Sequence, residues 1–535
     1  MENKVSASVS PQLLKDWLHD GGEIALLDVR EHGQFGESHL FYGVPLPFSR
    51  LELDIARLVP RRGTRCVVYD CGSPASHDVA RRAATQLAKL GWSNVSVLEG
   101  GTRAWKAAGY ALFAGVNLPS KTFGELAEHA YGTPRISADD LAQCIGRGER
   151  VVVLDGRPVS EFRKMNIPTA LCCPNGELPY RVKSIVPDDT TPIVVNCAGR
   201  TRSIIGAQTL INLGVRNPVY ALENGTQGWY LGDHRLEHGG TRAYAPDSGS
   251  TALRDNAHQL AARFGAEVVD AATVRQWAGQ QDRTLYLCDV RTAEEFAQGS
   301  LPGAQHTPGG QLMQAFDQYV GTRGARLVLV DSDGVRAPTV ASWLRQMGHE
   351  AYVLKDGCAS GLSLEPSAAL QAPALAPVGA AEVARLVAGK AALLIDLRGS
   401  MEFRKLHIAG ARWSIRPRLR HDLQDARGAV VVIADDATAA AWAVETEWPA
   451  RLERPRLLEG NVAAWRDAGL DVASSADTPP DADCIDFLFF VHDRHDGNKE
   501  AARRYLAWET GLVAQLDEKE IAAFHLPAPE HAHGE

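Results

Sequence analysis

The residues best arranged for chemistry are Cys197-Ala198-Gly199-Arg200-Thr201-Arg202-Ser203. They follow an apolar run ending in Asn196 and precede an amphipathic stretch at 204–213. A thiol where strand passes into helix faces unpaired backbone amides, and the helix dipole with those amides favours its thiolate. Arg200 and Arg202 add positive potential and suit an oxyanion. A thiolate so placed can attack a sulfane sulfur and hold it as a persulfide. The amides from Ala198 to Ser203 then stabilise the terminal sulfur's charge. Such a site needs no metal, no cofactor and no separate general base, since no hydroxyl must be deprotonated. A buried packing cysteine leaves Gly199, Arg200 and Arg202 unexplained.

The elements around this loop recur. An apolar strand ending in Asp-x-Arg, with a Phe five residues beyond the Arg, appears as Asp28 and Arg30 with Phe35, and as Asp155 and Arg157 with Phe162. It returns as Asp289 and Arg291 with Phe296, and as Asp396 and Arg398 with Phe403. Each copy continues with a second apolar strand, a loop, a helical stretch, and a third strand closed by a Gly-containing turn. Trp105, Trp229 and Trp465 follow that turn in three copies. A period of about 120 residues marks domain-sized repeats. Continuous apolar strands alternating with helices predict an α/β fold: four tandem modules, each a mainly parallel sheet with helices on both faces. Ligands in such sheets bind beyond the carboxyl ends of the strands.

Pro- and Gly-rich stretches divide the chain into modules at 1–118, 119–248, 249–372 and 373–480, with a tail at 481–535. Helical segments at 123–131 and 253–264 are expected to pack between modules, and the tail reads as an apolar strand followed by a charged helix over 498–524. The net charge of −9 argues against general nucleic-acid binding. No apolar run is long enough to span a membrane, and the first residues lack the apolar core of a secretory signal. Nine cysteines without a CxxC pair fit a reducing, cytoplasmic setting. Oligomeric state is not legible.

The order of strand, Cys loop and helix, with the Asp-x-Arg strand upstream and the Gly turn downstream, resembles the rhodanese family over about residues 1–480. The resemblance implies a sulfurtransferase in which Cys197 takes sulfur from an anionic donor such as thiosulfate and passes it to a thiol or cyanide. Four residues separate Cys197 from Arg202, as in rhodanese-like loops, whereas related dual-specificity phosphatases use one more. Mercaptopyruvate sulfurtransferases carry a less charged loop, so the two arginines favour a dianionic donor. The alternative reading is a persulfide carrier that accepts sulfur from a partner protein, the other three modules serving as docking surfaces.

Those three modules carry degenerate loops. Asp70 takes the cysteine position in the first, with Cys71 one place beyond; Asp331 takes it in the third, and Asp435 with Asp436 opens the fourth. A negative neighbour works against thiolate at Cys71. Asp155 and Arg157 recur in every module and are expected to brace the strand end. Cys172 and Cys173 read as packing or as a relay thiol. Arg181 is a candidate donor contact of unknown direction. His492 with His495, and His531 with His533, lack companion ligands at zinc spacing and read as solvated surface.

Overall fold

In this computed structural model, residues 7–74, 77–492 and 497–528 are described. In the second module, strands run in the order Arg135–Ile136, Val219–Leu222, Ile193–Asn196, Val152–Asp155, Leu171–Cys172. Every neighbouring pair is parallel. Alternate residues point to opposite faces. Leu154, Val195 and Ala221 pack with Leu178 and Leu210 on one side. Val153, Val194 and Leu222 pack with Phe162 and Trp229 on the other. Helices therefore cover both faces. The other three modules have five-stranded sheets of the same strand order.

Strand register fixes what emerges at the carboxyl edge. Asp155 pairs with Asn196, so Cys197 is the first residue beyond the sheet. The same pairing joins Asp28 to Tyr69, Asp289 to Val330 and Asp396 to Ile433. Asp70, Asp331 and Ala434 thus stand where Cys197 stands. The fourth module corrects the sequence reading, because Ala434 rather than Asp435 holds the position. Asp436 caps the helix Ala437–Glu447 directly through bonds from Thr438 and Ala439 amides, leaving almost no loop.

The helix Leu118–Tyr131 crosses Thr201–Asn212 at Gly124, where a Cβ would lie 2.6 Å from Thr201 Cγ2. Phe123 and Ala127 join the core of the third module, and Trp343 of that module donates to Thr209 Oγ1 at 2.8 Å. The helix Arg254–Arg263 contributes Ala261 to the same core. Both linker helices therefore pack between modules two and three. Modules one and four are joined by a buried bidentate pair, Arg416 with Glu52, at 2.6 and 2.8 Å.

The tail departs from expectation. No strand forms among its described residues. Ile485 O instead accepts the Gly33 amide at 2.8 Å, and Asp486 Oδ2 accepts the Ser400 amide at 2.8 Å. Helix N-termini of modules one and four thus take the hydrogen bonds that a sheet edge would have supplied. The charged segment forms Lys499–Thr510, Val513–Gln515 and Glu518–Ile521, interrupted after Gly511 and recapped by Asp517. Among the described residues no helix is long and apolar enough to cross a membrane.

Candidate active site

Cys197 is 2% exposed and lies between the strand Ile193–Asn196 and the helix Thr201–Asn212. Ser203 Oγ donates to its Sγ at 3.2 Å. The loop's carbonyls are tied to the Gly turn: Thr226 N donates to Cys197 O at 2.8 Å and Gln227 N to Ala198 O at 3.0 Å. This contact explains the recurring glycine. Gly225 has φ +54°, and a Cβ there would collide with Cys197 O. The turn thus turns the loop's carbonyls outward. Among the described residues, the amides from Ala198 to Ser203 have no protein acceptor.

The sister loops show what such amides hold. In module three, Asp331 Oδ1 accepts from Gly334 N at 3.0 Å, and Oδ2 accepts from Ala337 N at 2.8 Å. Those amides stand three and six residues beyond the strand-end position, as Arg200 and Ser203 do. In module one, Asp70 accepts from Gly72 N at 2.7 Å and Ala80 N at 3.1 Å. A carboxylate therefore fills the ring in both. Burial, then the neighbouring Asp333, pushes the Asp331 carboxyl above the usual range. Cys71 is half-buried, with Sγ 3.1 Å from Ser73 Oγ, outside the ring that Asp70 fills.

Arg202 and Arg200 part company. Glu161 takes Arg202 in a bidentate pair, both bonds 2.8 Å. Burial opposes the Arg202 charge, yet Glu161 outweighs it, and the guanidinium also feels Cys197. The Arg200 guanidinium lies along the pocket wall, donating to Glu125 at 2.8 Å and to Glu128. The expectation that it would be an open anion ligand is corrected. Two carboxylates of the preceding linker helix neutralise it, leaving its main-chain amide in the ring.

Asp155 and Arg157 form the bracing pair, at 2.9 and 2.7 Å, and Arg157 also donates to Met165 O at 2.7 Å. The same bidentate pair and carbonyl bond recur in the other three modules. In module two, Asn196 Nδ2 adds a bond to Asp155 at 2.9 Å. The segment after Cys173 does approach the loop, through Asn175 Nδ2 donating to Arg202 O at 2.9 Å. Cys172 and Cys173 themselves are buried, and burial pushes Cys172 up to about 12 and Cys173 far above its ordinary value. Both pack. Arg181 turns away, donating to Glu177 at 2.9 Å and Pro246 O at 3.1 Å. His495, His531, His533 and the His492 side chain lie outside the described residues.

Above Cys197 opens a cavity of about 440 Å³ with walls from three parts of the chain. Module three contributes Gln311 and Gln314; the tail contributes Tyr505, Trp508 and Glu509. Lys121 donates to the Tyr505 hydroxyl and, at 3.1 Å, to Glu509; Thr201 Oγ1 donates to Glu509 at 3.1 Å. At Gly199 a Cβ would lie 2.6 Å from Glu509 Oε2, so the loop glycine admits the tail. Sequence reasoning missed these walls. Its one signal was the spacing of Ala501, Ala502, Tyr505 and Glu509, which bury one face of their helix.

The Rhodanese-like domain profile matches residues 10–108, 137–231 and 270–362. The crystal structure of thiosulfate sulfurtransferase from Pseudomonas aeruginosa is 39% identical, covering 98% of this chain and 100% of that one, with a TM-score of 0.88. The chain belongs to the rhodanese-like family. As a rhodanese-like protein it is an enzyme of the sulfurtransferase class. A rhodanese-related protein from Thermoplasma volcanium is 25% identical over 19% of this chain and 97% of its own, with a TM-score of 0.17. The BH2092 protein of Bacillus halodurans is 22% identical over 20% of this chain and 77% of its own, at 0.18. No protein of curated description matches. The profile leaves the fourth rhodanese-like sheet unmatched; shared strand order and the Asp396–Arg398 pair relate it to the others.

Proposed function

We propose that this rhodanese-like enzyme moves a sulfane sulfur from thiosulfate, or a similar anionic donor, to a thiol or cyanide through a Cys197 persulfide. The Cys197 thiolate attacks the donor's outer sulfur. The donor's sulfur–sulfur bond breaks and sulfite leaves with the electron pair, while the new bond joins that sulfur to Sγ. An acceptor thiolate then attacks the outer sulfur, and Cys197 departs as thiolate.

One observation carries this reading. Where module three has an aspartate, its carboxylate oxygens sit two bonds from Cβ and take the amides matching Arg200 and Ser203. The outer sulfur of a cysteine persulfide also sits two bonds from Cβ, with the same charge. The sister loop thus carries an internal stand-in for the intermediate. The main-chain amides carry the anion recognition; Arg202, although paired with Glu161, lies close enough for its charge to act on Cys197, and exposed Lys164 stands at the rim. Asp155 and Arg157 brace the strand end. The name of the Pseudomonas aeruginosa relative supports thiosulfate as donor.

The division at 1–118, 119–248, 249–372 and 373–480 with a tail, and a cytoplasmic setting, belong to the same proposal. Nucleic acid and membrane have no part in it, and no metal or cofactor is required. The carrier alternative drew on the mass of sulfur-inactive modules, yet module three and the tail build the pocket itself.

Intact-mass spectrometry after thiosulfate treatment tests the proposal. A reducible gain of one sulfur, about 32 Da, is expected on wild type and not on Cys197→Ser. The same gain on Cys197→Ser would move the site to another thiol.

A further inference from the structure

The wall opposite the Cys197 loop comes from a short helix of module three, Gly309–Gln314. Gln311 and Gln314 stand one turn apart on one face of it and both line the cavity. Gln314 is 8% exposed, and its Oε1 is buried without a hydrogen-bond partner. Among the described residues neither carboxamide forms a side-chain hydrogen bond. A buried amide oxygen left unpaired is a cost that folded proteins rarely leave uncompensated. Turned into the cavity that Gln314 lines, this carboxamide would find its missing partner on a ligand.

Comparison within the molecule isolates these two positions. Thr307 N donates to Asp289 O at 2.8 Å, and in module four Ser414 N donates to Asp396 O at 3.0 Å. Counting on from these anchors sets Gln311 opposite Arg418 and Gln314 opposite His421. Arg418 and His421 line a sister cavity of about 430 Å³ over the Asp70 loop. The pseudo-equivalent walls therefore carry a cation and an imidazole in one cavity and two neutral amides in the other. The neutral pair faces the thiol.

We infer that Gln311 and Gln314 are specificity residues of the Cys197 site, binding the amide groups of a peptide-type thiol acceptor. This rests on the sulfur-transfer reading and extends it to the second half-reaction. A carboxamide donates and accepts at once, which matches the N–H and C=O of a peptide. Most cations of the pocket are already matched: Arg157 by Asp155, Arg202 by Glu161, Lys121 by Glu509. The amide pair adds recognition without adding charge, so the wall does not compete with the amide ring for the donor anion. The acceptor thiolate reaches the outer sulfur of the persulfide, takes it, and returns Cys197 as thiolate.

Binding is measured first without chemistry. S-methylglutathione, which cannot accept sulfur, is titrated calorimetrically into full-length Cys197→Ser protein. Binding is expected, weakened about tenfold by adding Gln311→Ala or Gln314→Leu, and equally by Gln314→Met, which keeps side-chain length. His421→Gln, in the sister cavity, is expected to leave it unchanged. In turnover, the ratio of kcat/KM for glutathione to that for 2-mercaptoethanol should fall about tenfold in the Gln311→Ala and Gln314→Met proteins. No binding of S-methylglutathione, or equal binding by all variants, overturns the inference. Failure of wild type to gain sulfur from thiosulfate sinks the donor reading separately, because the calorimetric result does not depend on it.

Discussion

Replacing Cys197 by aspartate would give module two the ring occupant that modules one and three already have. The Asp331 precedent shows that the loop geometry accommodates a carboxylate, with bonds of 3.0 and 2.8 Å to the amides matching Arg200 and Ser203. Burial nevertheless pushes Asp331 up, so the amides do not outweigh the loss of solvent. The two effects largely offset each other, and Cys197→Asp is expected to fold, its melting temperature within a few degrees of wild type. Anion binding should change far more. A fixed negative charge about 4 Å from a bound anion costs about 4 kcal/mol per charge pair at an effective dielectric of about 20. The two amide donors are lost to the ligand as well. Thiosulfate should therefore bind Cys197→Asp at least about a thousandfold more weakly than Cys197→Ser. Calorimetric titration of both inert variants at fixed ionic strength reads this directly. Affinities within tenfold of each other would show that the donor anion sits elsewhere, and the identification of ring with persulfide cradle would fall.

Two further outcomes follow from the cavity wall and from a buried carboxyl of module one. Lys121 and Glu509 have side chains 8% and 1% exposed, so Glu509→Ala removes the carboxylate that balances a buried ammonium and should cost about 3 kcal/mol in urea denaturation, while slowing sulfur loading. The double variant Lys121→Met, Glu509→Met should recover at least half of that cost; strict additivity would show that the pair is not coupled. Burial pushes Glu31 up to about 7, against the opposing Ser49 bonds. Its folded pKa lies above the unfolded carboxylate value near about 4.3, so its contribution to stability is full below that value and is lost as pH rises through 7. Stability should therefore decline between about pH 5 and 7, and Glu31→Gln should reduce that slope, as read from melting temperature against pH.

What the sequence disclosed was local. The Asp-x-Arg pairs are chelates across two residues, so each side chain's partner is fixed by the strand end that carries both. The cysteine loop is likewise set within seven residues, and the parallel sheets follow from apolar runs and repeat order. What stayed hidden depended on distant partners. Arg200 was legible as a cation but not in direction, because Glu125 and Glu128 on a linker helix decide where it points. The start of the fourth loop was misplaced by one residue because the two aspartates drew the reading past Ala434, the first residue beyond the pairing of Ile433 with Asp396. The tail's apolar run looked like a strand, and only the helix ends of modules one and four explain its other course.

The tail helix has a consequence for how the enzyme comes into being. Cys197, the proposed nucleophile, leaves the ribosome long before Tyr505 and Glu509, which line the cavity above it. At roughly 5–20 residues per second, the thiol waits tens of seconds without its roof. On the proposed function, catalytic competence is therefore a late event of synthesis, and a message cut short before the Lys499–Thr510 helix yields polypeptide whose cavity lacks one wall.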